Sequence, residues 1–174
     1  MHMPRRRVLR ALLGAVLAWG ALPGAASASV FEDENIVKAA VARIGARRFN
    51  DAHVNVACFH RRLLLTGEVA NDAERAAVQR AVSGVPNVQS LDNELVLGPV
   101  SGISARTTDS WITSDVKFRL LKGGFSRNDV RVVTENGTVY LMGTLTRKQG
   151  AAAANIASTA GRVQRVVLVF QYTD

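Results

Sequence analysis

The sequence has one cysteine, three histidines and no glycine-rich phosphate loop, and these shortages narrow what the chain can do. A single cysteine, Cys58, excludes an internal disulfide. A closed zinc site needs about four ligands, and no cluster of histidine and cysteine supplies them. A nucleophilic thiol also needs a base that a third group holds in place, and the sequence offers no such set. We therefore expect no catalytic residue, no metal and no cofactor, and interpret the chain as a protein that is not an enzyme.

Cys58 and His60 are two residues apart on a predicted strand and therefore share one face of it. This pairing would suit half a metal site or an activated thiol. However, Cys58 continues the inward alternation of Val54 and Val56. We therefore interpret Cys58 as a small core residue and His60 as a solvated turn residue.

Acidic residues are absent from residues 1–28, which instead begin with four arginines. An apolar stretch from Ala11 to Leu22 follows, and Ala26-Ser27-Ala28 fits a cleavage site. The apolar run is shorter than the roughly 20 residues that span a bilayer. We predict that residues 1–28 are a signal peptide cleaved after Ala28, by either the Sec or the twin-arginine route. An uncleaved N-terminal anchor is the alternative.

The net charge of +8 falls to +4 without residues 1–28, because they hold four of the 22 basic residues and no acid. This excess is too small to indicate a nucleic-acid partner. It is unevenly distributed, with a net charge of −1 over residues 29–97 and +5 over residues 98–174.

The chain repeats itself with an offset of 76 positions. The run Leu65-Thr66-Gly67-Glu68-Val69 corresponds to Leu141-Met142-Gly143-Thr144-Leu145, and the apolar residues of the preceding helices also correspond. Residues 29–97 and 107–174 therefore form two modules joined by a linker at residues 98–106. Each module reads helix, strand, strand, helix, strand, with Asn136-Gly137 as a strong hairpin turn and His60-Arg61 as a weaker one. We expect an α+β fold with two helices on one face of a three-stranded mixed sheet in each module.

The two hairpin glycines, Gly67 and Gly143, together with Gly84-Val85-Pro86-Asn87-Val88 and Gly161-Arg162-Val163, resemble the BON domain. The resemblance covers nearly all of the chain after residue 28. It implies a tandem pair of BON domains in the periplasm, peripherally associated with the outer membrane and binding anionic phospholipid of its inner leaflet. Related proteins often carry a lipid on a cysteine after the signal peptide. Because no cysteine occurs there, we expect binding to come from the folded modules.

The first helix of the second module carries apolar residues that its counterpart in the first module lacks. Trp111 and Phe118 replace Asn35 and Ala42, and they are seven residues apart, so they align along one face of a helix. Tryptophan beside basic residues suits a membrane interface. The predicted lipid-binding residues are Trp111, Ile112, Lys117, Phe118, Arg119, Leu121 and Lys122.

Two alternatives remain open from the sequence. Trp111 and Phe118 could instead pack against the first module and form the domain interface. The protein could also be an adaptor that binds outer-membrane assembly proteins, or act in the osmotic-stress response, without contacting lipid.

Overall fold

The computed structural model describes residues 25–47, 49 and 52–174. The predicted signal peptide lies outside this range except for residues 25–28, which form the first turn of a helix. None of the helices in the described residues is long and apolar enough to cross a membrane.

Two modules with the same order of elements confirm the predicted α+β fold. The first contains α1 (Ala25–Gly45), β1 (His53–Phe59), β2 (Arg62–Val69), α2 (Asp72–Val82), β3 (Ser90–Asn93) and β4 (Val96–Leu97). The second contains α3 (Ile103–Lys122), β5 (Val130–Glu135), β6 (Thr138–Leu145), α4 (Arg147–Ser158) and β7 (Arg165–Tyr172). In each sheet the hairpin strands pair antiparallel and the last strand pairs parallel with the second, so β2 and β6 are central.

The predicted third strand of the first module is interrupted, whereas β7 in the second module is continuous. The Leu65–Asn93 and Glu68–Val96 pairs have the same register, but the strand pairing is interrupted between them. Gly67 lies in this gap and has a φ of +116°, which is outside strand geometry. The third strand is therefore divided into β3 and β4.

Each module buries an apolar core between its helices and one face of its sheet. In the first module the predicted helix residues Ile36 and Ala40 are buried there, with Ile44 partly buried beside them. In the second module the equivalent core contains Ile112, Val116 and Leu120, which are all buried. Two alanines of α4, Ala153 and Ala157, are fully buried, so the helix approaches the sheet closely as expected.

The opposite faces of the two sheets pack against each other. A third apolar cluster joins Ala57 and Leu64 of the first module to Val133, Tyr140 and Met142 of the second. These residues alternate along their strands with the residues of the helix-side cores, as the two-residue period of a strand requires. The modules therefore dock through their sheets and keep their helices on the outside.

Side-chain caps begin two of the helices, and the Asn136-Gly137 turn is as predicted. Thr146 and Gln149 form a complete capping box, and Asn71 accepts a hydrogen bond from the Glu74 amide at 2.9 Å. Asn136-Gly137 has φ values of +48° and +70°, as a type I′ hairpin turn requires.

Two sequence-based expectations need correction. His60-Arg61, predicted to be a weaker turn, adopts φ values of +48° and +64° and so matches the turn of the second module. Residues 103–106, predicted as linker, form the first turn of α3. The acids at 32–34 lie well inside α1, which begins at Ala25.

Candidate functional site

The outer surface of α3 carries most of the predicted lipid-binding residues. One face of this helix is buried in the core of the second module through Asp109, Ile112, Val116 and Leu120. The helix ends at Gly123, whose amide donates to the Arg119 carbonyl at 2.9 Å. The sheets meet on the other side of the module, and one side of α3 borders β1 of the first module across a groove.

Besides Ile103 at the start of α3, three large apolar side chains of the helix are open to solvent. Trp111 is 53% exposed, Phe118 is 56% exposed and Leu121 is 64% exposed. Large apolar side chains grouped on a surface mark a contact site more often than single ones do. Because Trp111 and Phe118 are exposed, they do not form the interface between the modules, which was the alternative interpretation.

One predicted lipid-binding residue does not belong to this surface. Ile112 is fully buried in the helix-side core with Val116 and Leu120. It lies on the side of α3 that faces the sheet, so its side chain cannot reach a membrane while the module is folded.

Each exposed aromatic ring of α3 is next to a cation. The Lys122 Nζ lies 4.6 Å from the centre of the Phe118 ring. The Arg162 guanidinium lies 5.4 Å from the centre of the Trp111 ring, within the range of a cation–π contact. Sequence analysis missed Arg162 because it lies in the loop between α4 and β7, far from α3 along the chain.

Arg119 is less available than predicted, because its charge is already paired. Its Nε lies 3.0 Å from both carboxylate oxygens of Asp115 on the preceding turn of α3. Asp115 also accepts a hydrogen bond from the Gly161 amide at 3.3 Å. The Gly161 hydrogen bond links α3 to the segment after α4. The Asp115 carboxylate offsets the positive charge that Arg119 would offer to a phosphate.

A groove of about 800 Å³ runs beside these residues, between α3 and the edge strands β5 and β1. Phe118, Leu121 and Phe125 supply its apolar side chains, and Lys117 lies on the same helix. The groove therefore joins the exposed surface of α3 to the edges of both sheets. Phe125 was not predicted as a site residue, because the sequence does not show that the segment after α3 turns back toward it.

Three cations gather along this groove. Lys117 lies near Arg127 and Arg131, and no ion pair of the described residues involves any of the three. Burial lowers the pKa of Lys117, and the positive charges of Arg131 and Arg127 lower it further. The positive charge is therefore concentrated along this part of the groove.

Cys58 and His60 do not form a reactive pair. Cys58 is fully buried, and its Sγ donates to the Asp33 carboxylate at 3.3 Å. Burial, followed by the hydrogen bond to Asp33 and its charge, raises the pKa of Cys58 to about 12. The His60 ring nitrogen Nδ1 lies instead 3.4 Å from the hydroxyl of Thr144 in the second module.

Comparison with known proteins agrees with this fold. The BON domain matches twice, over residues 32–99 and 108–174, and the chain therefore belongs to the BON-domain family. The two matches correspond closely to the modules predicted at residues 29–97 and 107–174.

Two curated relatives are similar over 125 residues, which is 71% of this chain. The chain is 36% identical to the outer membrane lipoprotein DolP of Haemophilus influenzae, over 65% of that protein. It is 31% identical to the 21 kDa hemolysin of Actinobacillus pleuropneumoniae, over 64% of that protein. The chain thus spans just under two thirds of the length of both relatives.

Among solved structures, the C-terminal domain of CdsD, a structural protein of the type III secretion system of Chlamydia trachomatis, is similar at a TM-score of 0.34. The match has 12% sequence identity and covers 80% of this chain and 98% of that chain. At this TM-score the similarity supports no argument about function.

Proposed function

We propose that the protein is a periplasmic, peripheral component of the outer membrane and binds anionic phospholipid through α3 of its second module. The observation that carries this proposal is the solvent-exposed group of Trp111, Phe118 and Leu121, bordered by cations. The name of the DolP relative, an outer membrane lipoprotein, supports this location.

The apolar side chains supply the first part of the binding energy. Trp111 would sit at the depth of the lipid headgroups, where its ring is favoured, while Phe118 and Leu121 reach toward the acyl chains. Fully burying a large apolar side chain is worth about 1.5–3 kcal/mol. Partial insertion of these three side chains is enough for reversible binding.

The cations supply the second part and the preference for anionic lipid. Each basic residue near a negatively charged membrane contributes about 1 kcal/mol. Lys117, Lys122 and Arg162 lie around the apolar group, and Arg127 and Arg131 lie along the adjoining groove. Arg119 contributes less in this proposal because Asp115 offsets its charge.

Vesicle flotation tests the proposal. We expect the protein to float with phosphatidylglycerol vesicles and not with phosphatidylcholine vesicles, and to detach as salt is raised. Trp111→Ala should weaken binding about tenfold, which corresponds to about 1.4 kcal/mol. Phe118→Ala should weaken it similarly.

Phe31→Ala is the matched control, because Phe31 is 63% exposed on α1 of the first module. It should bind as the wild type does. If the control loses as much affinity as Trp111→Ala, or if wild type ignores both kinds of vesicle, α3 is not the membrane site. The second result would favour the adaptor hypothesis, with protein partners of the outer-membrane assembly machinery.

A further inference from the structure

Three potential metal ligands meet where the two modules touch. His53 begins β1 and is paired with Glu68 of β2 across the hairpin ladder. Glu135 ends β5 in the second module. One ligand atom from each of these side chains lies within 4.8 Å of the other two. The cluster therefore combines one imidazole and two carboxylates from both modules.

The distance between two of these ligands fits a small metal ion. The His53 Nε2 lies 3.5 Å from the Glu135 Oε1. Zinc bonds of about 2.0–2.1 Å in a tetrahedral arrangement separate neighbouring ligand atoms by about 3.4 Å. Binding therefore needs no large movement of these two side chains.

Glu68 provides an independent indication that this cluster binds a ligand. This side chain is only 2% exposed. Its Oε1 accepts hydrogen bonds from the Ser101 hydroxyl and the Asn136 side-chain amide, which hold the carboxylate in place. Its Oε2 is buried and has no hydrogen-bond partner in the described part of the chain. Buried carboxylate oxygens rarely lack a hydrogen-bond partner, because burial removes their water and leaves a desolvation free energy that nothing offsets.

The charges in the cluster point to a cation. No lysine or arginine of the described residues forms an ion pair with Glu68 or Glu135. The Glu135 carboxylate contacts His53 and accepts a hydrogen bond from the Asn55 side chain. The ion-pair contact of His53 is with Glu135, and the Glu68 Oε2 has no hydrogen-bond partner among the described residues.

We propose that His53, Glu68 and Glu135 bind one zinc ion. Imidazole and carboxylate ligands together suit zinc, whereas magnesium and calcium prefer oxygen ligands alone. A cavity of about 440 Å³ opens beside His53 and Glu135 and leaves room for a water molecule as the fourth ligand. The Ser101 and Asn136 hydrogen bonds to Glu68 would orient that ligand, as outer partners commonly do in zinc sites.

A zinc ion in this position would stabilise the docking of the modules. Two of its ligands come from the first module and one from the second, so separating the modules would break the site. Ser101 lies in the linker and contacts both Glu68 and Asn136, which couples the linker to the same cluster. The ion would therefore add to the apolar contact between the sheets.

Zinc titration of the untagged protein by calorimetry, after treatment with a chelator, tests this proposal. We expect one zinc ion per chain and a raised melting temperature, with no competition from excess magnesium. His53→Gln should weaken zinc binding at least tenfold, a scale typical of losing metal-site interactions. His60→Gln is the matched control, since His60 is exposed on the other end of the same hairpin, and it should bind zinc as the wild type does.

Measurements on the wild type keep the proposal testable if His53→Gln does not fold. Zinc should shift the ring signals of His53 in a nuclear magnetic resonance spectrum and leave those of His60 unchanged. Cobalt in the site should show the absorption of a nitrogen and oxygen ligand set, without a thiolate band from Cys58. The proposal is wrong if zinc does not saturate at one ion per chain, if His53→Gln binds it as wild type does, or if a thiolate band appears.

Discussion

Asp33 and Asp109 lie 76 positions apart, and each carboxylate accepts hydrogen bonds from both backbone amides of a hairpin turn. Asp33 binds the amides of His60 and Arg61, each at 2.8 Å. Asp109 binds the equivalent amides of the second module, also at 2.8 Å. The first helix of each module is thus fastened to its hairpin by the same contact.

We predict that Asp109→Asn destabilises the second module by about 1–3 kcal/mol, because the amide keeps one acceptor and loses the other buried hydrogen bond. Asp33→Asn should have the same effect on the first module. Urea denaturation measures both. Asp72→Asn is the control, since Asp72 is exposed and paired only with Arg75, and it should change the free energy of unfolding by less than about 0.5 kcal/mol. Equal effects of all three substitutions would contradict a specific role for the two buried carboxylates.

The hydrogen bonds that Asp33 accepts explain why the His60-Arg61 turn forms although its sequence is unfavourable. Asn136-Gly137 is favourable by itself, because both residues tolerate positive φ. His60-Arg61 is not, yet it adopts the same conformation. Asp33 compensates by binding both amides of that turn. This compensation comes from a residue 27 positions away, so local sequence patterns could not reveal it.

Most of each module could be predicted because its elements follow local periods and the chain repeats them. The docking of the modules could not, since it depends on the sheet faces opposite the helices. Leu64, Tyr140 and Met142 lie there and alternate with core residues on the other face. Strands buried on both faces show nearly continuous apolar runs, which do not indicate which residues meet a neighbouring module.

Gly143 is predicted to be intolerant of a side chain. A Cβ atom at this position would lie 2.6 Å from the backbone oxygen of Asp129, the residue just before β5, which pairs with β6. Gly67 meets the equivalent oxygen of His53 even more closely and has a positive φ as well. We expect Gly143→Ala to cost about 1–3 kcal/mol, because the backbone must move, and Gly67→Ala to cost more.

Thermal unfolding of both variants checks whether Gly67→Ala lowers the melting temperature more than Gly143→Ala does. Gly45→Ala is the matched control, because no atom lies within 4 Å of a Cβ built there. It should unfold close to the wild-type temperature. If Gly67→Ala proved as stable as Gly45→Ala, crowding against the opposite strand would not explain the glycine.

The candidate site was only partly visible in the sequence. Comparing the equivalent helices identified Trp111 and Phe118, because the first module lacks such residues at those positions. Arg127, Arg131 and Arg162 were missed, since they approach α3 from a loop, a strand and a second loop. Their proximity is a property of the tertiary fold and leaves no local spacing pattern.

Arg127 and Arg131 provide a test of the groove that does not alter the apolar group. Replacing both with glutamine should weaken binding to phosphatidylglycerol vesicles by about 2 kcal/mol, or about thirtyfold, and flatten its salt dependence. Arg75→Gln with Arg80→Gln removes the same charge from α2 of the first module and should have a much smaller effect. Equal losses from the two double variants would mean that net charge alone drives binding.

Cys58 should be inert in the folded protein. Because burial and Asp33 raise its pKa to about 12, the thiol stays protonated near pH 8 and has no access to solvent. A thiol reagent should therefore modify the native protein orders of magnitude more slowly than the urea-unfolded chain, at a rate set by opening. Rapid modification of the native protein would show that the first module opens more readily than this packing allows.

The raised pKa of Cys58 also predicts how stability depends on pH. An unfolded thiol loses its proton near pH 9.0, its ordinary value, whereas the folded thiol keeps it until about pH 12. The folded state then binds more protons than the unfolded state, so the free energy of unfolding falls as pH rises through this window. Below pH 9 the thiol makes no pH-dependent contribution. Urea denaturation of wild type and Cys58→Ala between pH 8 and about pH 10.5 isolates the effect, because the other titrating groups are common to both proteins. The wild type should lose more stability than Cys58→Ala over this range, and parallel curves would show that the folded thiol titrates normally.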